Sequence, residues 1–377
     1  MKNKINILAV ALMSLFFAII NSSCSDKKQD TGDTLPEFMN GVDENSYLVN
    51  WTGNTYKDGG VTIPPEDLPY KYFASKGINS ARIRIWVGEN PDGNYENALA
   101  NGLSTREAGL YTLLAIFFSE QWSENVGCDD ATVGSIFRDL SFEDKKSAVQ
   151  QYCSQLINNF KNDGLSFDLY AIGNEVYNCI CGETDKSKMA EILNAAYQAI
   201  REVDPKAKFV FHIPHAAPDD VRSYFNAMLN TYGVKCDYLS TSYYPLQIIH
   251  GSTAFDEYKT LVSDLYEAHR KPFIVSEWAY AGSELPANSY WIAAGIMENE
   301  PLNVYSQTTQ GLAALIRDLL KWAREADAVK GVFYWGPIFN EEGEFEGTLY
   351  GWVWLSLFDI NGEAKQAINS LQYGSLN

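Results

Sequence analysis

The sequence predicts a single (β/α)8 barrel. Eight short apolar runs recur through the chain, amphipathic stretches separate them, and no phosphate-binding glycine loop follows any run. The runs are residues 38–43, 78–87, 110–118, 166–175, 208–213, 237–244, 272–278 and 331–336. They are rich in β-branched and aromatic residues, as in parallel strands buried on both faces. The stretches 142–162, 187–203, 253–269 and 309–326 carry the 3.6-residue apolar spacing of crossover helices. The rival architecture, a doubly wound open sheet, would be expected to carry G-x-G-x-x-G or a P-loop after a strand; neither occurs.

Ahead of the first strand the chain reads as a targeting segment. Met1-Lys2-Asn3-Lys4 is a positive start, Ile5 to Ile20 is an apolar core, and Asn21-Ser22-Ser23-Cys24 follows. Small residues before a cysteine resemble a bacterial lipoprotein signal, with Cys24 as the lipidated mature terminus. The expected organisation is a signal segment over 1–24, a polar tether over 25–37 and a catalytic barrel over 38–377. An exported lipoprotein held at the outer membrane or cell surface of a Gram-negative bacterium is expected. Five cysteines then remain, and an odd number cannot pair completely. One disulfide is allowed, without a choice of partners.

A formal net charge of −19 argues against nucleic acid, which requires a basic face. It also disfavours a strongly acidic polysaccharide. Aromatic residues make up 14% of the chain, with nine Trp and 23 Tyr. That content suits stacking on neutral sugar rings as well as an aromatic core.

In a (β/α)8 barrel the chemistry sits where strands end. The fourth run ends in Gly173-Asn174-Glu175 and the seventh reaches Glu277, so two carboxyls face each other across the same rim. Glycoside hydrolysis uses such a pair: one protonates the leaving oxygen, and the other attacks the anomeric carbon or activates water. Retention needs the pair roughly 5 Å apart. Arg82 and Arg84, two residues apart, share one side of the second strand. One is expected to hold Glu277 ionised and one to belong to an ion pair; Arg84 is assigned to the substrate cleft. Tyr244 is assigned to orient Glu277, while Tyr243 points away and packs. Asn174 is assigned to the sugar 2-hydroxyl and Trp335 to the floor under the ring. Trp86 and Trp122 complete the substrate-binding set. Glu175 is expected to be the more desolvated carboxyl. The four histidines, at 212, 215, 250 and 269, make no metal pattern. His212 and His215 follow the fifth strand and suit a hydrogen-bonded loop as well as the cleft.

These pieces resemble the retaining barrel glycosidases, and more narrowly glycoside hydrolase family 53, the endo-β-1,4-galactanases. The matching segments are TYKDGG (55–60), GINSARIRIWV (77–87), SEQW (119–122), AIGNEV (171–176), STSYYP (240–245), FIVSEWAY (273–280), GVFYWGP (331–337) and WLSLFDINGEA (354–364). The resemblance implies retaining endo-hydrolysis of β-1,4-galactan, with Glu175 as acid/base and Glu277 as nucleophile. Three departures stand out. The family's third strand typically carries Asp-x-His where this chain has Ala115-Ile116-Phe117. Its eighth strand usually reads Trp-Glu-Pro, here Trp335-Gly336-Pro337. Bacterial members often carry an acidic, glycine-rich calcium loop, of which 281–305 holds no clear version. No cofactor or metal is therefore predicted, and calcium is left open. The acidic run Glu341, Glu342, Glu344, Glu346 reads as a solvated loop. Two alternatives stay open: a hydrolase of the same clan acting on another β-linked glycan, and a non-catalytic glycan-binding lipoprotein.

Overall fold

A computed structural model describes residues 35–44, 55–88, 93–120, 124, 128, 133–214, 216–246, 254–284, 305–338, 343–345, 348–350 and 354–375. Cys24, Trp122, His215, His250 and most of the acidic run at 341–346 lie outside the described residues. Residues Pro36–Asn377 form one compact unit.

Eight parallel strands close into a barrel. They are β1 (Met39–Asp43), β2 (Ser80–Ile85), β3 (Tyr111–Ile116), β4 (Leu169–Ile172), β5 (Phe209–Ile213), β6 (Tyr238–Tyr243), β7 (Phe273–Trp278) and β8 (Val329–Trp335). Each pairs with its sequence neighbours, and β1 closes the ring against both β8 and β2. The eight apolar runs of the sequence are these eight strands. The fourth is shorter than expected, because Gly173 and Glu175 turn to positive φ (75° and 52°) and end it after Ile172.

The helices are α1 (Tyr70–Ser75), α2 (Tyr95–Glu107), α3 (Phe142–Asn162), α4 (Lys186–Val203), α5 (Pro218–Asn226), α6 (Phe255–His269) and α7 (Thr309–Glu325). Local chemistry sets their starts. Ser141, Asp185 and Thr308 each accept a hydrogen bond from the backbone N–H three residues on, which satisfies one of the donors a helix start leaves open. The buried positions of α3 are Val149, Cys153, Leu156, Ile157 and Phe160. Their spacing of three and four makes one apolar stripe facing the barrel.

Cys128 and Cys179 form a disulfide, linking the segment after β3 to the segment after β4. Cys153, Cys181 and Cys236 are buried thiols. Buried polar side chains occur along the strands, and Asp43, Arg82, His212, Ser242 and Glu277 lie toward their C-terminal ends.

Candidate active site

The exit of β4 places the first carboxyl. Gly173 lies at φ 75°, and a Cβ there would fall 2.4 Å from Val176 Cγ2, so a larger residue would force the turn to shift. Two residues on, Glu175 takes the left-handed region at φ 52°. For a non-glycine residue that conformation costs on the order of 1–2 kcal/mol. It turns the carboxyl inward over the barrel mouth. The backbone N–H of Val176 then donates to His212 O (3.0 Å), fixing the turn against β5.

Glu277 comes from inside β7. The pairing of β6 with β7 shifts register between Thr241 and Ser242, which brings Ser242 level with Glu277. Such irregularities re-aim side chains near active sites. Both carboxyls are buried: Glu175 is 9% and Glu277 6% exposed. The expectation that Glu175 would be the more desolvated is not met. A strand position inside the wall buries Glu277 at least as deeply as a turn at the rim buries Glu175.

Arg82 organises the floor. It is fully buried on β2, and its guanidinium donates to Asp43 of β1, to Glu277 Oε1 (2.9 Å) and to Asn174 Oδ1. Burial acts against its charge, but Asp43 and Glu277 outweigh it, so its pKa is raised. Arg84 pairs with Asp43 (3.2 Å) and lies over the Trp335 ring at 5.7 Å. Tyr244 donates to Glu277 Oε2 at 2.9 Å. Its own pKa is pushed far up by burial and by Glu277, so it stays a neutral donor. On the other side, His212 Nδ1 lies 3.0 Å from Asn174 Oδ1, and His212 Nε2 lies 3.1 Å from Ser242 Oγ. Ser242 Oγ lies 2.6 Å from Glu175 Oε1, a hydrogen bond whose proton either oxygen can carry, according to whether Glu175 is ionised.

The charges explain the chemistry. Two guanidiniums face three carboxyls, those of Asp43, Glu175 and Glu277. Leaving all three ionised in a buried site would leave one negative charge uncompensated. The site therefore favours holding one proton. Burial pushes the Glu277 carboxyl up, Arg82 pulls it down, and Glu175 and Asp43 push it up, which together leave it at about 7. When Glu175 carries the proton its repulsion disappears, and Arg82 and Tyr244 both favour ionised Glu277. One carboxyl is left as an acid and the other as a nucleophile.

The structure brings Glu175, Glu277, Asn174 and Tyr244 together, with Arg84 and Trp335 at the edge of the cluster. The arginine touching Glu277 is Arg82. Tyr243 stacks on Tyr258 at 4.0 Å, away from Glu277. Trp86 is half-buried, with its ring 6.0 Å from Phe117. Three residues of this network had no role in the sequence reading, or only an ambiguous one. Asp43 ends β1 and was detectable as an acid closing a barrel strand. Ser242 was overshadowed by its tyrosine neighbours. His212 lies within β5 rather than after it, so it points into the barrel and is not part of a loop.

Comparison with known proteins bears on what this pair does. A profile described as glycosyl hydrolase family 53 matches residues 39–371, most of the chain. The chain belongs to glycosyl hydrolase family 53. Among family relatives, an endo-β-1,4-galactanase of Bacillus subtilis (strain 168) is 24% identical, over 89% of this chain and 86% of its own. An arabinogalactan endo-β-1,4-galactanase of Humicola insolens is 24% identical, over 79% of this chain and 88% of its own. The family 53 catalytic domain of Ignisphaera aggregans shares the fold, with TM-score 0.76 and 23% identity, covering 90% of this chain and 97% of that one.

As a family 53 glycosyl hydrolase, the chain departs from the expected pattern on β3, and the structure shows how. Ala115 and Phe117 are both fully buried. Phe117 turns toward Trp86, so an apolar contact occupies the stretch where the resemblance placed two polar groups. Just after β8, Gly336 takes φ 57° and its N–H donates to Asp43 O at 3.0 Å. The backbone there supports Asp43 directly.

Proposed function

We propose that this enzyme is a retaining endo-β-1,4-galactanase. The observation that carries the reading is the pairing of Glu277, gripped by Arg82 and Tyr244, with Glu175 hydrogen-bonded to Ser242, on a family 53 barrel. The galactanase names of the relatives supply the substrate.

In the first step, Glu277 attacks the anomeric carbon while Glu175 passes its proton to the departing oxygen, giving a glycosyl-enzyme. In the second, Glu175 takes a proton from water, the water attacks the anomeric carbon, and Glu277 is released. Asn174, whose Oδ1 is held by Arg82, is assigned to the sugar 2-hydroxyl. Arg84, Trp86, Trp122 and Trp335 would line the cleft.

A reducing-end assay on β-1,4-galactan, with Glu277→Gln as control, tests the activity. Short galacto-oligosaccharides released by the wild type alone, first in the β-anomer by proton NMR, are expected. Release in the α-anomer would rule out retention. The apolar Phe117 and Trp86 wall favours a second reading, in which another neutral β-glycan is cleaved. A polysaccharide panel separates the two.

The amino-terminal segment supports export and lipid anchoring through Cys24. Labelling of the full chain by a fatty-acid probe, abolished by Cys24→Ser, is the expected result. Labelling that survives the substitution would remove the proposal.

A further inference from the structure

The network behind Glu175 contains more order than the two-carboxylate mechanism requires. Arg82 is a pure donor, so the Asn174 atom it touches must be the carbonyl oxygen. That assignment fixes the next link. His212 Nδ1 stands 3.0 Å from the same oxygen. Arg82 Nη2 also stands 3.5 Å from Nδ1, but the closer neighbour at 3.0 Å is an acceptor, and two acceptors that close repel unless a proton lies between them, so Nδ1 carries the hydrogen. His212 is fully buried, and burial, reinforced by Arg82, holds its pKa well below the usual imidazole value. It is therefore neutral, and Nε2 is a bare acceptor. Nε2 lies 3.1 Å from Ser242 Oγ. Serine has one hydroxyl proton, and Nε2 takes it. The serine oxygen then turns its lone pairs to Glu175 Oε1, 2.6 Å away.

We infer that His212 and Ser242 form a proton-orienting relay that holds Glu175 in its acid form between turnovers. This rests on the assignment of Glu175 as acid/base given above. In the resting enzyme Glu175 O–H donates to Ser242 Oγ, and Ser242 O–H donates to His212 Nε2. When Glu175 gives its proton to the departing oxygen, the single serine proton faces two acceptors. If it swings to the new carboxylate, Nε2 is left bare. The ionised form therefore forfeits one hydrogen bond that the acid form keeps. The same imbalance makes Glu175 a stronger base in the second step, when it recovers a proton from water and the serine hydroxyl swings back. His212 and Ser242 are positioning residues. The other charged or titratable groups around Glu175 among the described residues include Glu277 on β7, Tyr244 after β6, Asp43 on β1, Arg82 and Arg84 on β2, and the buried Glu124 after β3, whose backbone N–H donates to Asn174 O. None of these is altered by the test.

The sign of one shift decides the matter. In the relay, removing Ser242 removes the acceptor of the acid's proton, so the ionised form gains ground. The basic limb of kcat/KM for Ser242→Ala then moves to lower pH by about 0.5–1 unit, the size of one hydrogen bond, and Ser242→Thr, which keeps the hydroxyl, restores it. If Ser242 instead donates to an ionised Glu175, its loss moves the limb to higher pH. A limb that moves up or stays still overturns the relay. Nitrogen-15 NMR of histidine-labelled wild-type protein gives a reading that needs no turnover. A neutral Nδ1–H tautomer for His212 between about pH 5 and 8 is expected. The Nε2–H tautomer or an imidazolium overturns the relay. If no β-glycan is cleaved by the wild type, the functional proposal fails, and the tautomer alone decides whether the relay exists.

Discussion

Tyr244→Phe isolates one contact on the nucleophile. The tyrosine ring is buried and its hydroxyl donates to Glu277 Oε2 at 2.9 Å. Phenylalanine keeps the ring and its packing and removes the hydroxyl that donates to Glu277. A hydrogen bond to a charged group contributes about 1.5–3 kcal/mol. Because the donor favours the ionised carboxyl, its loss raises the Glu277 pKa, by about 1–2 units at 1.36 kcal/mol per unit. The acid limb of the kcat/KM profile on β-1,4-galactan should rise by that amount. On the acid side of the optimum the rate should fall about 10–100-fold, with the melting temperature nearly unchanged. An acid limb that does not move would refute the argument. A change confined to KM would mean that the hydroxyl serves the sugar and not Glu277.

Further predictions concern stability and geometry. Burial and the repulsion between Glu277 and Glu175 leave the folded carboxyl pair holding a proton that the unfolded chain releases, with Glu277 raised to about 7 from 4.5; a raised folded pKa is a contribution present at low pH and lost as pH climbs through the folded value. The melting temperature of Glu277→Gln relative to wild type should therefore increase between about pH 4.5 and 7, and a flat difference would count against a raised pKa. Gly173→Ala should lower kcat far more than it raises KM, since the added methyl would fall 2.4 Å from Val176 Cγ2 and shift the turn that carries Glu175; an unchanged kcat would show that the turn adapts. Replacing Cys128 and Cys179 by Ser opens a link spanning 51 residues, worth about 4 kcal/mol by chain entropy, and calorimetry should show a clear fall in melting temperature. No change would mean that the reduced chain keeps the two segments together.

The barrel strands were legible because each is an apolar run bounded by polar or glycine residues, and such runs have few alternatives in an α/β chain. Glu175 and Glu277 were legible because each breaks such a run at its end. The ranking of Arg82 and Arg84 was not. Residues two apart share a face, and only the closed barrel decides which guanidinium is sealed against Glu277 and which reaches Trp335. Asp43 was hidden for a related reason: an acid at a strand end reads as a turn residue until β1 is paired with both β2 and β8. His212 already lay inside the fifth apolar run, 208–213; what the run does not show is which face of β5 it takes, because apolar residues fill both faces of Phe209–Ile213.

The hydrogen-bonded floor draws on β1, β2, β5, β6 and β7, and on the turn after β4, through Asp43, Arg82, His212, Ser242, Glu277 and Asn174. These contacts span most of the circumference, including the seam where first and last strands meet. The catalytic groups thus act as a clasp for the ring. A partly unfolded chain with one strand detached would retain most of its helical signal while its floor came apart. Enzymatic turnover should therefore be the most sensitive gauge of whether the ring is shut, vanishing during heating before circular dichroism records any loss of helix.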